Sequence, residues 1–91
     1  LDVSTLTAGE VEKRIKEIVA RIYRVDPSKL TPQTRFIEDL GADSVTTIEL
    51  VAEIEDAFKI QVPDEDVEKN QTLGQAIQYV IDKLKAEGRL K

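Results

Sequence analysis

Apolar residues recur at steps of three and four along most of this 91-residue chain, and the breaks in that pattern mark out its elements. Val11, Ile15, Ile18, Val19 and Ile22 form one stripe, with Lys13, Arg14, Lys16 and Arg21 on the opposite face. Thr7 precedes the stripe and Glu10 follows three residues on, the spacing at which each side chain bonds the other's backbone N–H in a capping box. Leu6 and Val11 hold the two positions of a hydrophobic staple. Together these predict a helix over residues 8–23. Val45, Ile48, Val51, Ile54 and Phe58, broadened by Leu50 and Ala57, predict a second helix over residues 44–58, capped by Asp43. Leu73, Ala76, Ile77, Val80, Ile81 and Leu84 predict another, from a capping box of Thr72 and Gln75 through residue 86, with Gly88 as its stop.

The intervals read differently. Pro27 and Pro32 interrupt any helix between Val25 and Asp43, so that stretch is expected to be an ordered crossover anchored by Phe36 and Leu40. It has room for a short helical turn, and Gly41 closes it. After Pro63, Asp64 is a candidate cap for a short, weak helix around Val67. No strand-like alternation, internal repeat or low-complexity run appears. The expected fold is all-α: a small four-helix bundle with three longer helices, one short helix and a long crossover between helices one and two. At this length the chain reads as one domain, residues 1–91, with a helical core over 8–86 and short tails.

Composition removes whole classes of chemistry. The chain has no cysteine, so it offers no thiolate, disulfide or cysteine-held metal, and no histidine, the commonest general base and zinc ligand. At 4 % aromatics and a net charge of −5 it suits neither base stacking nor polyanions, and nucleic acid is not expected as a partner. No apolar run reaches membrane-spanning length, so no membrane insertion is expected. The N-terminal "LDVSTLTAGE" lacks the pattern of a signal peptide. Methionine is absent even from position 1, and the chain is read as processed or trimmed. Charge is concentrated: residues 36–68 hold 11 acids against Lys59 alone, or −10, leaving +5 elsewhere. Such a face suits basic protein partners.

The stretch "EDLGADSV", residues 38–45, sets one serine among acids at a predicted helix start. Serine nucleophiles need a base beside them; without histidine only a lysine or a carboxylate could serve, and the aspartate directly before Ser44 is expected to cap the helix rather than to deprotonate the hydroxyl. The acids fit no calcium loop: counted from Asp39 or from Asp64, the glycine and glutamate positions hold Ser44 and Leu50, or Lys69 and Gln75. Ser44 read alone is an ordinary helix-start residue. The same position also exposes its hydroxyl where free backbone N–H groups stabilise a phosphate, by about 0.3–1 kcal/mol. Ser44 is thus placed to be modified rather than to catalyse.

"FIEDLGADSV" followed by "TTIELVAEIEDAFKIQVPDEDVEK" resembles the discrete acyl carrier proteins of dissociated fatty acid synthesis. The resemblance runs from about Val11 to Leu84 and includes "VDPSKLTPQTRF" in the crossover. It implies a non-enzymatic carrier whose Ser44 receives 4′-phosphopantetheine from coenzyme A, with Asp43 capping the helix and presenting the serine. The cofactor's thiol would hold the growing acyl chain as a thioester. Partner docking is implied for Val45, Glu49, Ala52, Glu55, Asp56, Val62 and Asp64. An acyl-chain pocket is implied for Val51, Ile54, Ile60, Val62, Ala76, Ile77 and Val80, which the apolar pattern reads equally well as core. The implied partners are a phosphopantetheinyl transferase and the acyl transferases, ketosynthases, reductases and dehydratases of fatty acid synthesis, met through their basic surfaces. A monomer is expected, in the bacterial cytoplasm or, after transit-peptide removal, in a plastid or mitochondrion. Val45 stands where the family usually has leucine, Thr46 where an acid is common, and Ala52 where a larger residue is frequent. Two alternatives stay open: a carrier of polyketide, aminoacyl or specialised lipid cargo, and a structural or adaptor bundle in which Ser44 merely starts a helix.

Overall fold

The computed structural model describes residues 6–91, and the reading of residues 1–5 as free of a signal peptide lies outside them. Three long helices dominate: α1 (Ala8–Tyr23), α3 (Ser44–Phe58) and α5 (Leu73–Ala86). Two short ones, α2 (Phe36–Leu40) and α4 (Asp64–Lys69), lie between them, and a single 3-10 turn covers Pro27–Lys29. α1 packs against both α3 and α5. Among the described residues the only β-type contacts are two isolated bridges, Leu6 with Leu90 and Arg35 with Thr72. The fold is all-α, as the sequence pattern predicts.

The ends of the long helices follow from their caps. Glu10 N–H donates to Thr7 Oγ1 at 3.2 Å and Thr7 N–H to Glu10 Oε1 at 2.9 Å. Thr72 and Gln75 repeat the exchange at 3.1 and 3.2 Å. Leu6 and Val11 are buried together with the core, as a staple requires. At the far end of α5, Gly88 takes a positive φ of 70°, its N–H bonds the Lys85 carbonyl, and Arg89 N–H bonds the Leu84 carbonyl. That pair of bonds is a Schellman stop, which a residue without Cβ adopts most easily. α4 departs from expectation by one residue. Pro63 is the cap, its carbonyl taking the Asp66 and Val67 N–H groups, so Asp64 is already the first helical residue.

The core runs through α1 (Val11, Ile15, Val19), α3 (Leu50, Ile54, Phe58) and α5 (Leu73, Ile77, Val80, Leu84). On α3 the apolar stripe divides. Val45 and Ile48 are 62 % and 69 % exposed, whereas Leu50, Ile54 and Phe58 are buried. The reason is angular: Ile48 sits about 200° round the helix from Leu50 at 100° per residue, so it cannot share the row that Leu50 makes with Ile54 and Phe58.

The crossover is held to α5. Phe36 N–H donates to the Gln71 carbonyl, Leu73 N–H to Thr34 and Gly74 N–H to Pro32, at 2.9–3.0 Å. Leu30 and Phe36 plug into the core and Leu40 is half-buried against it. Gly74 approaches so closely that a Cβ there would lie 2.8 Å from the Pro32 carbonyl oxygen. Alanine is the better helix former by about 1 kcal/mol, yet Gly74→Ala should destabilise the protein by about 1–3 kcal/mol, because that carbonyl is fixed backbone. A thermal melt checks this, and a raised midpoint would contradict it.

Candidate functional site

The first turn of α3 presents Ser44. Asp43 is the residue that caps it: Thr46 N–H donates to Asp43 Oδ1 at 2.9 Å and Asp43 N–H to Thr46 Oγ1 at 3.0 Å. The Thr46 N–H, and the Thr46 hydroxyl at 3.0 Å, both donate to the Asp43 carboxylate and hold it below the usual carboxylate range. Ser44 is therefore the first helical residue rather than the cap. Its side chain is exposed and makes no hydrogen bond to any described residue. Gly41 turns the chain just before it, with φ 71° and its N–H on the Ile37 carbonyl. The capping role of Thr46 was not read from the sequence, although threonine at the third helical position after a capping aspartate is a legible signal.

The acids around Ser44 divide into spent and unspent. Asp39 takes the Arg35 backbone N–H at 2.8 Å and its guanidinium at 3.3 Å, which lowers the Asp39 carboxyl's pKa. Glu53 pairs with Arg21 of α1, and Asp56 lies 3.4 Å from Lys59. Glu55 accepts the Val62 N–H at 2.8 Å and so ties α3 to the segment before α4. Glu49 and Asp64 are exposed with no ion pair or hydrogen bond to the described residues. Ala52 is exposed beside a shallow depression where Arg14 and Arg21 of α1 approach Glu53 and Asp56. Val45 is exposed next to Ser44.

A cavity of about 410 Å³ opens among α2, α3, α4 and α5, within the range of small-molecule sites. Val51, Ile54, Val62, Ala76 and Val80 line it. Ile60 and Ile77 do not; both are buried in the core. Thr47, Leu50, Phe36, Val67 and both tyrosines also line it and were not anticipated. Thr47, Leu50, Val51 and Ile54 share a helical spacing that could have revealed them, whereas Tyr23 and Phe36 arrive from distant segments. Tyr79 donates its hydroxyl to Asp66 at 2.6 Å, joining α5 to α4. Burial, helped by that bond, pushes its pKa up to about 12. Among the described residues no group of acids is arranged to hold a metal ion, and no helix is long and apolar enough to cross a membrane.

Comparison with known proteins agrees with this geometry. Residues 13–80 match the family described as "Phosphopantetheine attachment site". An acyl carrier protein of Chlorobium phaeobacteroides is 38 % identical over 78 residues, covering 86 % of this chain and all of that protein. A solved structure of the acyl carrier protein from Enterococcus faecalis superposes with a TM-score of 0.74 at 34 % identity, covering 84 % of this chain and 96 % of the other. The chain belongs to the acyl carrier proteins, non-enzymatic carriers with a phosphopantetheine attachment site.

Proposed function

We propose that Ser44 is the attachment residue and that the chain carries acyl groups for fatty acid synthesis. The observation that carries this reading is the state of the Ser44 hydroxyl: exposed, unpartnered among the described residues, and released from capping by Asp43. A bound phosphopantetheine supplies a terminal thiol on which cargo is held as a thioester. This chain's own part is to present the oxygen on a fixed helix start and to favour the attached phosphate through the positive end of the α3 dipole. Asp43 acts as positioning residue by holding that turn. The test is intact-mass spectrometry after incubation with coenzyme A and a phosphopantetheinyl transferase, where a single phosphopantetheine is the expected gain. Residues 8–86 act as one carrier unit in this reading, placed in the bacterial cytoplasm or in an organelle of bacterial descent.

The transferase and the acyl transferases, ketosynthases, reductases and dehydratases would meet the unspent acids first. Glu49 and Asp64 are free to pair with basic side chains, and Val45 supplies apolar contact beside Ser44. Asp56 and Ala52 lie further along the same helix. Glu55 supports this face differently, through its bond to Val62, so reversing its charge would disturb the fold as well as the surface. Glu49→Lys is the cleaner probe. It should slow transferase modification severalfold without moving the thermal midpoint, and raised salt should slow the wild type likewise, since such contacts are steered by screened charge. Unchanged rates in both experiments would remove the electrostatic docking reading.

The cavity is the proposed shelter for the chain, with Val51, Ile54, Val62, Ala76 and Val80 in contact and Ile60 and Ile77 supporting them from the core.

A further inference from the structure

The chain contains two tyrosines, and both line the cavity. Their hydroxyls differ. Tyr79 is committed to Asp66 at 2.6 Å. The Tyr23 hydroxyl is shut off from solvent and has no hydrogen-bond partner among the described residues. Its ring is held at the end of α1, tilted by 37° against Phe36 with centroids 6.4 Å apart. A buried hydroxyl left unpaired is unfavourable, and native interiors rarely keep one without a reason. Leu50, Val51, Ile54 and Val80 share the same cavity, with Thr47, Asn70 and Gln71 among its polar lining.

We propose that Tyr23 makes this carrier selective for oxygenated acyl chains, its hydroxyl donating to a keto or hydroxyl oxygen on cargo sheltered in the cavity. The proposal rests on the reading that cargo carried from Ser44 enters there. An oxygen on the chain must shed water to pass among these aliphatic side chains and stays outside them unless a donor meets it. Tyr23 lines the cavity, and its hydroxyl is buried and unengaged, so a chain oxygen reaches it once entering cargo has parted the side chains that cover it. A saturated chain gains nothing from it.

The test compares wild type with Tyr23→Phe, which removes one oxygen and keeps the ring. Each is loaded with octanoyl, or with octanoyl bearing one keto group near the thioester, in mid-chain or near the tail. Mass spectrometry confirms each loaded sample, and thermal melts follow. Unloaded, the variant should melt at the wild-type midpoint or above it, since it loses only an unpaired group. Octanoyl should raise both midpoints equally. For at least one keto position the variant should fall short of wild type by about 4–8 °C, one hydrogen bond in a domain of this size. If both proteins respond alike to every keto position, if neither responds to any chain, or if the unloaded variant melts lower, the Tyr23 assignment is overturned. Failure to load Ser44 at all would overturn the attachment reading instead, and the mass spectra separate the two.

Discussion

Ser44→Ala is expected to take up no phosphopantetheine while keeping the wild-type fold. The loss should be complete, because the hydroxyl is the bonding atom and nothing replaces it. The stability change should stay within about 0.5 kcal/mol, the range for an exposed side chain that touches nothing. The structure makes this separation possible: Asp43, not Ser44, exchanges bonds with Thr46 to start α3. Asp43→Ala is the converse case. It should lower stability by about 0.5–2 kcal/mol through loss of the cap, yet leave an acceptor oxygen for the transferase. Intact mass and a thermal melt on both variants read the two effects independently. If Ser44→Ala still gains the group, attachment lies elsewhere. If it loses several kcal/mol, Ser44 also holds the start of α3, against the assignment of that role to Asp43.

Phe58→Ala is expected to be the most damaging single change to the fold. Phe58 is 1 % exposed and closes the buried row of α3. Truncating a buried phenylalanine costs about 3–5 kcal/mol, from lost burial and from the void left behind. A domain of this size is stable by about 5–14 kcal/mol in total. The thermal midpoint should therefore fall by at least about 12 °C. The same place holds other contacts together: the Arg89 guanidinium reaches the carbonyls of Phe58 and Lys59, and Leu6 pairs with the backbone at Arg89 and Lys91. A shifted α3 terminus would strain that closure of the chain ends. Ile48→Ala is the control. Its side chain belongs to the same apparent apolar stripe but is 69 % exposed, and its loss should move stability by less than about 0.5 kcal/mol. Equal effects from the two would contradict the described orientation of α3.

The contrast between Phe58 and Ile48 shows where sequence reading reaches its limit. The long helices were legible because their signals are local: Thr7 with Glu10, Thr72 with Gln75, and Asp43 before a periodic run. A helical period says that a face exists; which side of a wide stripe meets the core depends on neighbours far away in sequence. Glu55 shows the same limit for charge. In the sequence it is one more acid on an acidic helix, and only the fold brings the Val62 N–H to it. The cavity is half legible for this reason. Leu50, Val51 and Ile54 follow from one helix, whereas Tyr23 reaches it from the far end of α1. Asp64 fails as a cap because the Pro63 carbonyl starts α4 one residue earlier.

The most direct test of the central claim is to locate the added group. After incubation with coenzyme A and a transferase, the wild-type chain is digested and the modified peptide sequenced by mass spectrometry. Phosphopantetheine is expected on Ser44 alone. Ser28, whose hydroxyl already donates to Asp26 at 2.9 Å, should remain unmodified. An unmodified chain in the presence of a transferase that loads another carrier, or a group found on any other serine, would contradict the account.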